Sequence, residues 1–168
     1  MFQIGELVIY GTEGVCRITA VETMKVGTTR REYYVLKPVL RGSSTVYVPK
    51  DNEALRPKMR RLLSASEIEE LIRSVTQEET VWIEDNSERK AEYQKILAEG
   101  ERAGLMRMIR ALYERRRFLR GSGKQLRSGD DQLLRDAERL LNDEFAAVLE
   151  ISPHEVPDYI RSKMQLEA

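Results

Sequence analysis

The spacing of the apolar residues changes once along the 168-residue chain, and this change limits the fold more than any other feature. Up to about residue 57, apolar and polar side chains alternate in short runs, as they do in half-buried strands. From residue 64 the apolar residues recur every three to four positions, as they do on one face of a helix. The sequence therefore predicts an α+β protein, with a small β domain at 1–60 and an all-helical domain at 61–168.

The first domain contains short runs of β-branched and aromatic residues that are separated by glycine-containing turns. The clearest runs are Glu6–Tyr10, Val15–Glu22, Arg31–Pro38 and Thr45–Pro49. About five short strands at this spacing are typical of a strongly bent sheet or a small SH3-like barrel.

The second domain is predicted to hold four helices and a short terminal element. Their expected ranges are 64–75, about 82–98, about 101–120, about 129–149, and a short or broken helix after Ser152. Ser64 and Glu67 have the spacing of a capping box, Gly100 is placed as a C-cap, and Ser128 is placed as an N-cap.

The formal net charge of +0 conceals blocks of opposite sign. Residues 1–60 carry net +4, 61–100 net −5, 101–129 net +7 and 130–168 net −6. The third helix and the loop after it are therefore a basic segment inside a neutral chain. Its cations are Arg102, Arg107, Arg110, Arg115, Arg116, Arg117, Arg120, Lys124 and Arg127.

Two interpretations of this basic segment remain open. Guanidinium groups bind phosphate in a bidentate manner, which favours a nucleic-acid contact. The same arginines could instead pair with the acidic blocks of neighbouring helices and give a solvated charged bundle. Both hold if Arg102 and Arg107 are structural while the cations from Arg115 to Arg127 are exposed.

Trp82 is the only tryptophan, and it follows a polar stretch instead of lying within an apolar stripe. It either packs into the junction of the two domains or serves as an aromatic wedge or platform. An indole can stack on an exposed base or insert at a distorted base step.

Several classes of function are disfavoured by the composition. His154 is the only histidine and Cys16 the only cysteine, so a catalytic triad, a cysteine zinc cluster and an intrachain disulfide are not expected. We expect no enzymatic activity and no cofactor. A signal peptide and a membrane span are also not expected, which favours a cytoplasmic protein.

Specific motifs of this chain resemble the CarD/CdnL/TRCF family. In the β half these are Phe2–Tyr10 with Glu13–Val15, Tyr33–Lys37, and Val46–Pro49 followed by Asn52. In the helical half the Trp82 segment, Arg110–Tyr113 and Leu126–Leu141 resemble full-length CarD-like transcription regulators. The resemblance reaches to about residue 150 and is looser in the helical half.

The resemblance implies a bacterial transcription regulator with a Tudor-like domain that docks on the RNA polymerase β subunit through strand edges. The positions that this assigns to polymerase binding are Met24, Thr45, Val46 and Tyr47. The helical domain would contact promoter DNA at the upstream edge of the bubble, where Trp82 takes the place of a minor-groove wedge, and would stabilise the open complex. The positions that this assigns to DNA are Trp82, Arg115, Arg116, Arg117, Arg120, Lys124 and Arg127.

The chain departs from the family pattern at a few of these positions. Met24 and Tyr47 stand where members often have arginine, Asp131 where a lysine of the DNA face is found, and Tyr113 where tryptophan is common. The polymerase contact is therefore expected to be more apolar, and the sign of regulation stays open.

The alternative is a protein–protein adaptor that does not bind DNA, whose basic helix binds an acidic partner and whose Trp82 is buried. We expect a monomer, although strand edges would allow a homodimer. Because the whole molecule is neutral, we also expect weak binding to free DNA, which a polymerase partner would strengthen.

Overall fold

The computed structural model describes residues 2–10, 13–40, 42, 44–51 and 59–165. The chain divides into two compact units, residues 1–63 and 64–168. Asn52, which contributes to the family resemblance, lies outside the described residues.

The first unit is built on one antiparallel sheet, and the predicted α+β class is confirmed. Its strands are β1 Leu7–Tyr10, β2 Gly14–Val26, β3 Thr29–Pro38, β4 Val46–Pro49 and β5 Met59–Arg61. They lie in the order β4-β3-β2-β1-β5, and among the described residues no pairing joins β4 to β5. The sheet is thus open in the described part of the chain, and its closure into an SH3-like barrel stays a prediction.

The main buried cluster of this unit lies on one face of the sheet, as the alternating sequence requires. It consists of Val8, Cys16, Ile18, Tyr34, Leu36, Val48 and Met59. The β2–β3 register shifts between Ile18 and Ala20, so Thr19 is an extra residue in β2. Such a bulge bends the strand locally and adds twist to the sheet.

The outer part of the β2–β3 hairpin extends beyond this core. All residues of the two strands from Glu22 to Glu32 are exposed, on both faces. Gly27 makes the turn with a φ of 65°, which lies in the left-handed region that glycine adopts without strain. The hairpin therefore ends in a two-stranded ribbon without apolar cover.

The second unit is entirely helical. It contains α1 Ala65–Thr76, α2 Asn86–Glu99, α3 Arg102–Arg120, α4 Ser128–Leu149, a 3-10 turn Pro153–Glu155 and α5 Val156–Lys163. The apolar stripes of α1, α3, α4 and α5 supply most of its core. The largest fully buried side chains there are Ile68, Ile72, Leu105, Met106, Met108, Ile109, Leu112, Leu134, Leu141 and Phe145.

The helix ends agree with the sequence in two places and correct it in two. The Ser64–Glu67 capping box is present, and Gly100 closes α2 with a φ of 64°. The second helix begins at Asn86, not near residue 82, because the Asp85 side chain accepts a hydrogen bond from the Glu88 N–H and caps it there. Ser128 is the first residue of α4, because Arg127 takes the N-cap position.

None of the helices in the described part of the chain is long and apolar enough to cross a membrane.

Candidate nucleic-acid interface

Trp82 lies in the non-helical segment 77–85 that joins α1 to α2, and its side chain is half-buried. Arg89, in the first turn of α2, holds this segment in place through a hydrogen bond to its backbone and a contact with the Trp82 ring. The Arg89 Nη1 donates to the backbone oxygen of Ile83 at 2.9 Å, and its guanidinium lies 4.5 Å from the centre of the Trp82 ring. One arginine therefore fixes both the backbone after Trp82 and the indole itself.

Arg89 is itself held by Asp130 in the first turn of α4. Its Nε and Nη2 donate to the two carboxylate oxygens of Asp130 at 3.0 and 2.8 Å. Arg89 is 3% exposed and Asp130 is 6% exposed, so this bidentate pair is shielded from water. A buried ion pair is retained only with such full hydrogen bonding, because loss of one partner leaves an uncompensated charge.

Arg115 of α3 provides a second cation beside the indole. Its guanidinium lies 5.3 Å from the centre of the Trp82 ring and 5.0 Å from the centre of the Phe118 ring. Each of these cation–π contacts contributes roughly 0.5–1 kcal/mol at an exposed site. Trp82, Arg115 and Phe118 thus form one group of side chains, which is called the Trp82 cluster below.

Arg116 points away from the Trp82 cluster although it follows Arg115 in sequence. Its guanidinium lies 5.1 Å from the Tyr113 ring, which Arg161 approaches at 5.4 Å. The Tyr113 hydroxyl donates to Glu138 Oε2 at 2.8 Å. Burial is the main cause that raises the pKa of both Tyr113 and Glu138. Arg116 therefore lies on a structural contact between α3, α4 and α5.

The remaining cations assigned to DNA lie at the end of α3 and in the loop after it. Arg117, Arg120, Lys124 and Arg127 are exposed. Among the described residues, none of these four forms an ion pair. The loop is compact, because the Lys124 N–H donates to the Leu119 oxygen at 2.8 Å and Gly123 turns the chain with a φ of 70°. It keeps the free cations close to the end of the helix.

The arginines in the first half of α3 have structural partners instead. Arg102 pairs with Glu144 at 2.8 Å, and Arg107 pairs with Glu78 at 2.7 Å. Hydrogen bonding to Arg107 is the main cause that lowers the pKa of Glu78. The first half of α3 therefore uses these arginines in ion pairs within the bundle, whereas Arg117 and Arg120 in the second half are exposed, and a nucleic-acid contact there stays a prediction.

The positions assigned to polymerase lie on an exposed part of the sheet. Tyr47 in β4 is 45% exposed, Thr45 precedes that strand and is exposed, and Val46 packs partly against the core. Among the described residues β4 pairs with β3 alone, so its other edge is unpaired. An unpaired edge offers a row of backbone donors and acceptors to an added strand.

Met24 and Tyr47 share one face of this sheet. Tyr47 pairs with Val35 and Met24 pairs with Arg31, two residues of β3 that are separated by an even number of positions. Side chains at even spacing in a strand point to the same face, and paired residues share it. The face opposite the main buried cluster therefore carries Met24 and Tyr47, the two polymerase-assigned positions where the chain departs from the family pattern.

The sequence did not identify Arg89, Asp130 or Phe118 as site residues. Arg89 and Asp130 are 41 positions apart, and no local pattern indicates that they pair. The only available signal was that Arg115 and Phe118 are three residues apart on a helix, which places them side by side.

Comparison with protein families gives a match in the first unit. Residues 2–63 match the model of the CarD-like/TRCF RID domain. The match covers the first unit and ends where the second begins, so the helical unit with the Trp82 cluster lies outside it.

Proposed function

We propose that this chain, which belongs to the CarD-like/TRCF RID family through residues 2–63, is a bacterial transcription regulator that binds RNA polymerase and promoter DNA. In this proposal the first unit docks on the polymerase β subunit and the second contacts the DNA. The role is non-enzymatic, because its effect comes from binding alone.

The family match supports the polymerase half of the proposal. The docking surface would be the free edge of β4 with Tyr47, together with Met24 on the same face of the sheet. A strand added to this edge would gain main-chain hydrogen bonds, while exposed side chains would provide selectivity. A Tudor-like shape of the unit is part of the proposal.

The Trp82 cluster supports the DNA half, and it is the observation on which the proposal depends most. A half-buried indole lies in a non-helical segment whose backbone is fixed by a buried Arg89–Asp130 pair. Two guanidiniums contact its ring, and four exposed cations that form no ion pair among the described residues lie on α3 and its loop. A rigid aromatic ring beside positive charge is suited to wedge at a distorted base step while arginine and lysine bind the phosphates.

The mechanism follows from what a wedge does to a partly melted duplex. At the upstream edge of the bubble, an inserted indole replaces the stacking that the strands would regain on closing. Bubble collapse then has to expel the ring, so the open complex lasts longer. No reading of base sequence is required, because the contacts are to phosphates and to a distorted step.

The test is the lifetime of open promoter complexes formed by purified polymerase with the full chain. Trp82→Ala is expected to shorten the lifetime that the wild-type chain confers by about tenfold while leaving the circular dichroism unchanged. Val81→Ala is the matched control, because Val81 is the adjacent residue and is 74% exposed.

Full activity of Trp82→Ala would contradict the proposal. If Trp82→Ala also abolished co-purification with the β subunit in the absence of DNA, the wedge role would be contradicted, because the indole would then serve a protein contact.

A further inference from the structure

We propose that Phe118 is a second aromatic element of the DNA site, a platform on which an unpaired base of single-stranded DNA stacks beside the Trp82 wedge. The inference rests on the proposed function and deepens it, because it names the part of the promoter that the Trp82 cluster binds.

The exposure of Phe118 is the first argument. Its side chain is 65% exposed, although it lies on a helix whose other large apolar residues are mostly buried. The apolar stripe of α3 runs through Leu105, Ile109 and Leu112, and Leu119 continues it, so Phe118 is not needed for the core. An aromatic ring that is outside the stripe and open to solvent is available for a partner.

The position of Arg115 is the second argument. Its guanidinium contacts both the Trp82 ring and the Phe118 ring, so the two ring centres are no farther apart than the sum of 5.3 and 5.0 Å. A base that the wedge removes from its stack therefore meets a second π face no farther from the indole than that sum. Arg115, between the rings, still has N–H groups to donate to a phosphate.

The charge around Phe118 identifies the partner as a polyanion. Arg117 and Arg120 flank it on the helix, and Lys124 follows in the loop; all three are exposed and, among the described residues, without ion pairs. An apolar protein partner would have to cover these cations without compensation. A strand of single-stranded DNA supplies both bases for the ring and phosphates for the cations.

The roles of the two aromatic rings differ because their exposure differs. Trp82 is half-buried and contacted by two guanidiniums, which suits insertion at a fixed place. Phe118 presents most of its surface to solvent, which suits stacking with whichever base is released. Stacking on an aromatic ring tolerates any base, so the platform would act on many promoters.

The test compares three variants on promoters that keep or lack the proposed base. Phe118→Leu keeps an apolar side chain and removes the ring, Phe118→Tyr keeps the ring, and Leu140→Ala removes an exposed apolar side chain from α4 as a control. The promoters form a series in which one base at a time at the upstream edge of the bubble is replaced by an abasic site. The readout is the lifetime of the open complex with purified polymerase.

On the intact promoter, Phe118→Leu is expected to shorten the lifetime about tenfold, whereas Phe118→Tyr and Leu140→Ala change it less than twofold. On the promoter that lacks the stacked base, wild type and Phe118→Leu are expected to be equal. An equal loss on every promoter, or loss of polymerase binding without DNA, would overturn the inference.

The Trp82→Ala variant separates this inference from the proposed function. If Trp82→Ala shortens the lifetime and Phe118→Leu does not, the platform is wrong and the proposed function stands. If neither variant has an effect, the proposed function itself fails.

Discussion

Arg89 connects three parts of the helical unit through one side chain. It donates to the backbone after Trp82, to the side chain of Asn86, and to Asp130 in α4. These partners lie in different directions, so their hydrogen bonds together fix the position of the guanidinium. The Trp82 ring, which contacts this guanidinium, is therefore held in place as well. The position of Trp82 is therefore set by a residue that need not touch DNA.

This arrangement predicts that Asp130→Asn destabilises the protein, although Asp130 need not contact a ligand. The carboxylate is buried with the guanidinium, so its neutralisation leaves a buried positive charge and should lower the free energy of unfolding by about 3 kcal/mol. The emission of Trp82, the only tryptophan, should shift towards longer wavelength as the ring is released. Urea denaturation followed by tryptophan fluorescence measures both.

Asp131→Asn is the matched control, because Asp131 adjoins Asp130 and forms an exposed pair with Arg135. An exposed pair of this kind contributes less than about 1 kcal/mol. Equal losses for the two variants would mean that the Arg89–Asp130 pair does not hold the Trp82 segment.

For single residues, the sequence indicates which side chains are notable better than it indicates which residues they contact in the fold. Trp82 attracts notice because an aromatic residue follows a polar stretch, but the sequence alone does not determine what surrounds the ring. The pairing of Arg89 with Asp130, and the direction of Arg116 towards Tyr113, depend on how α2, α3 and α4 pack. No spacing rule within one helix carries that information.

Among the elements, the outer β2–β3 hairpin has the least support from packing. Lys25 and Arg30 are directly opposite each other in its register, and like charges at paired positions destabilise a sheet. Neither has an ion-pair partner among the described residues. A ribbon that lacks apolar cover and carries this repulsion gains little stability from its own contacts.

We therefore expect Arg30→Glu to separate stability from docking. Opposite charges at the pair should raise the free energy of unfolding of the first unit by up to about 1 kcal/mol. The same change should weaken retention on the purified polymerase β subunit, because it reverses a charge on the ribbon that carries Met24, although Arg30 lies on the other face of the sheet. Thermal unfolding and a pull-down measure the two effects.

Lys37→Glu provides the control within the same sheet. Lys37 pairs with Arg17, so the variant makes the same change from like to opposite charges, but on the part of β3 near the core. It should gain similar stability, so it serves as the control for stability alone, because Lys37 lies on the same face as Tyr47. If Arg30→Glu is retained as well as the wild-type chain, the ribbon has no part in docking.

Elements were predictable from sequence where local interactions determine their ends. The start of α1 follows from a capping box within four residues, and the end of α2 follows from Gly100. The start of α2 was misplaced because the apolar and helix-forming pattern extends back to Trp82, whereas Arg89 holds residues 83 and 84 outside the helix. The open sheet edge depends on pairing between distant strands, which alternation alone does not specify.

For the molecule as a whole, the net charge of zero hides how the charges are used. Within the helical unit, acidic residues such as Glu78 and Glu144 form ion pairs with arginines in the first half of α3. The second half and its loop keep their cations exposed, so the local field there is positive although the distant field is nearly neutral. The block pattern can be counted from the sequence, whereas the fold decides which cations remain available for a partner.

This distribution leads to a prediction about salt and partners. The chain alone should bind duplex DNA only weakly at physiological salt, with an affinity that falls as salt rises, because long-range attraction is small and phosphate contacts release counterions. Once polymerase holds the promoter nearby, the same cations should suffice to hold the DNA.

The double reversal Arg117→Glu with Arg120→Glu should then lower promoter occupancy in the polymerase complex about tenfold. Lys90→Glu with Lys95→Glu changes the net charge equally on α2, where both lysines are exposed, and should lower occupancy far less. Equal losses in a gel-shift assay would mean that total charge, and not the end of α3, determines DNA contact.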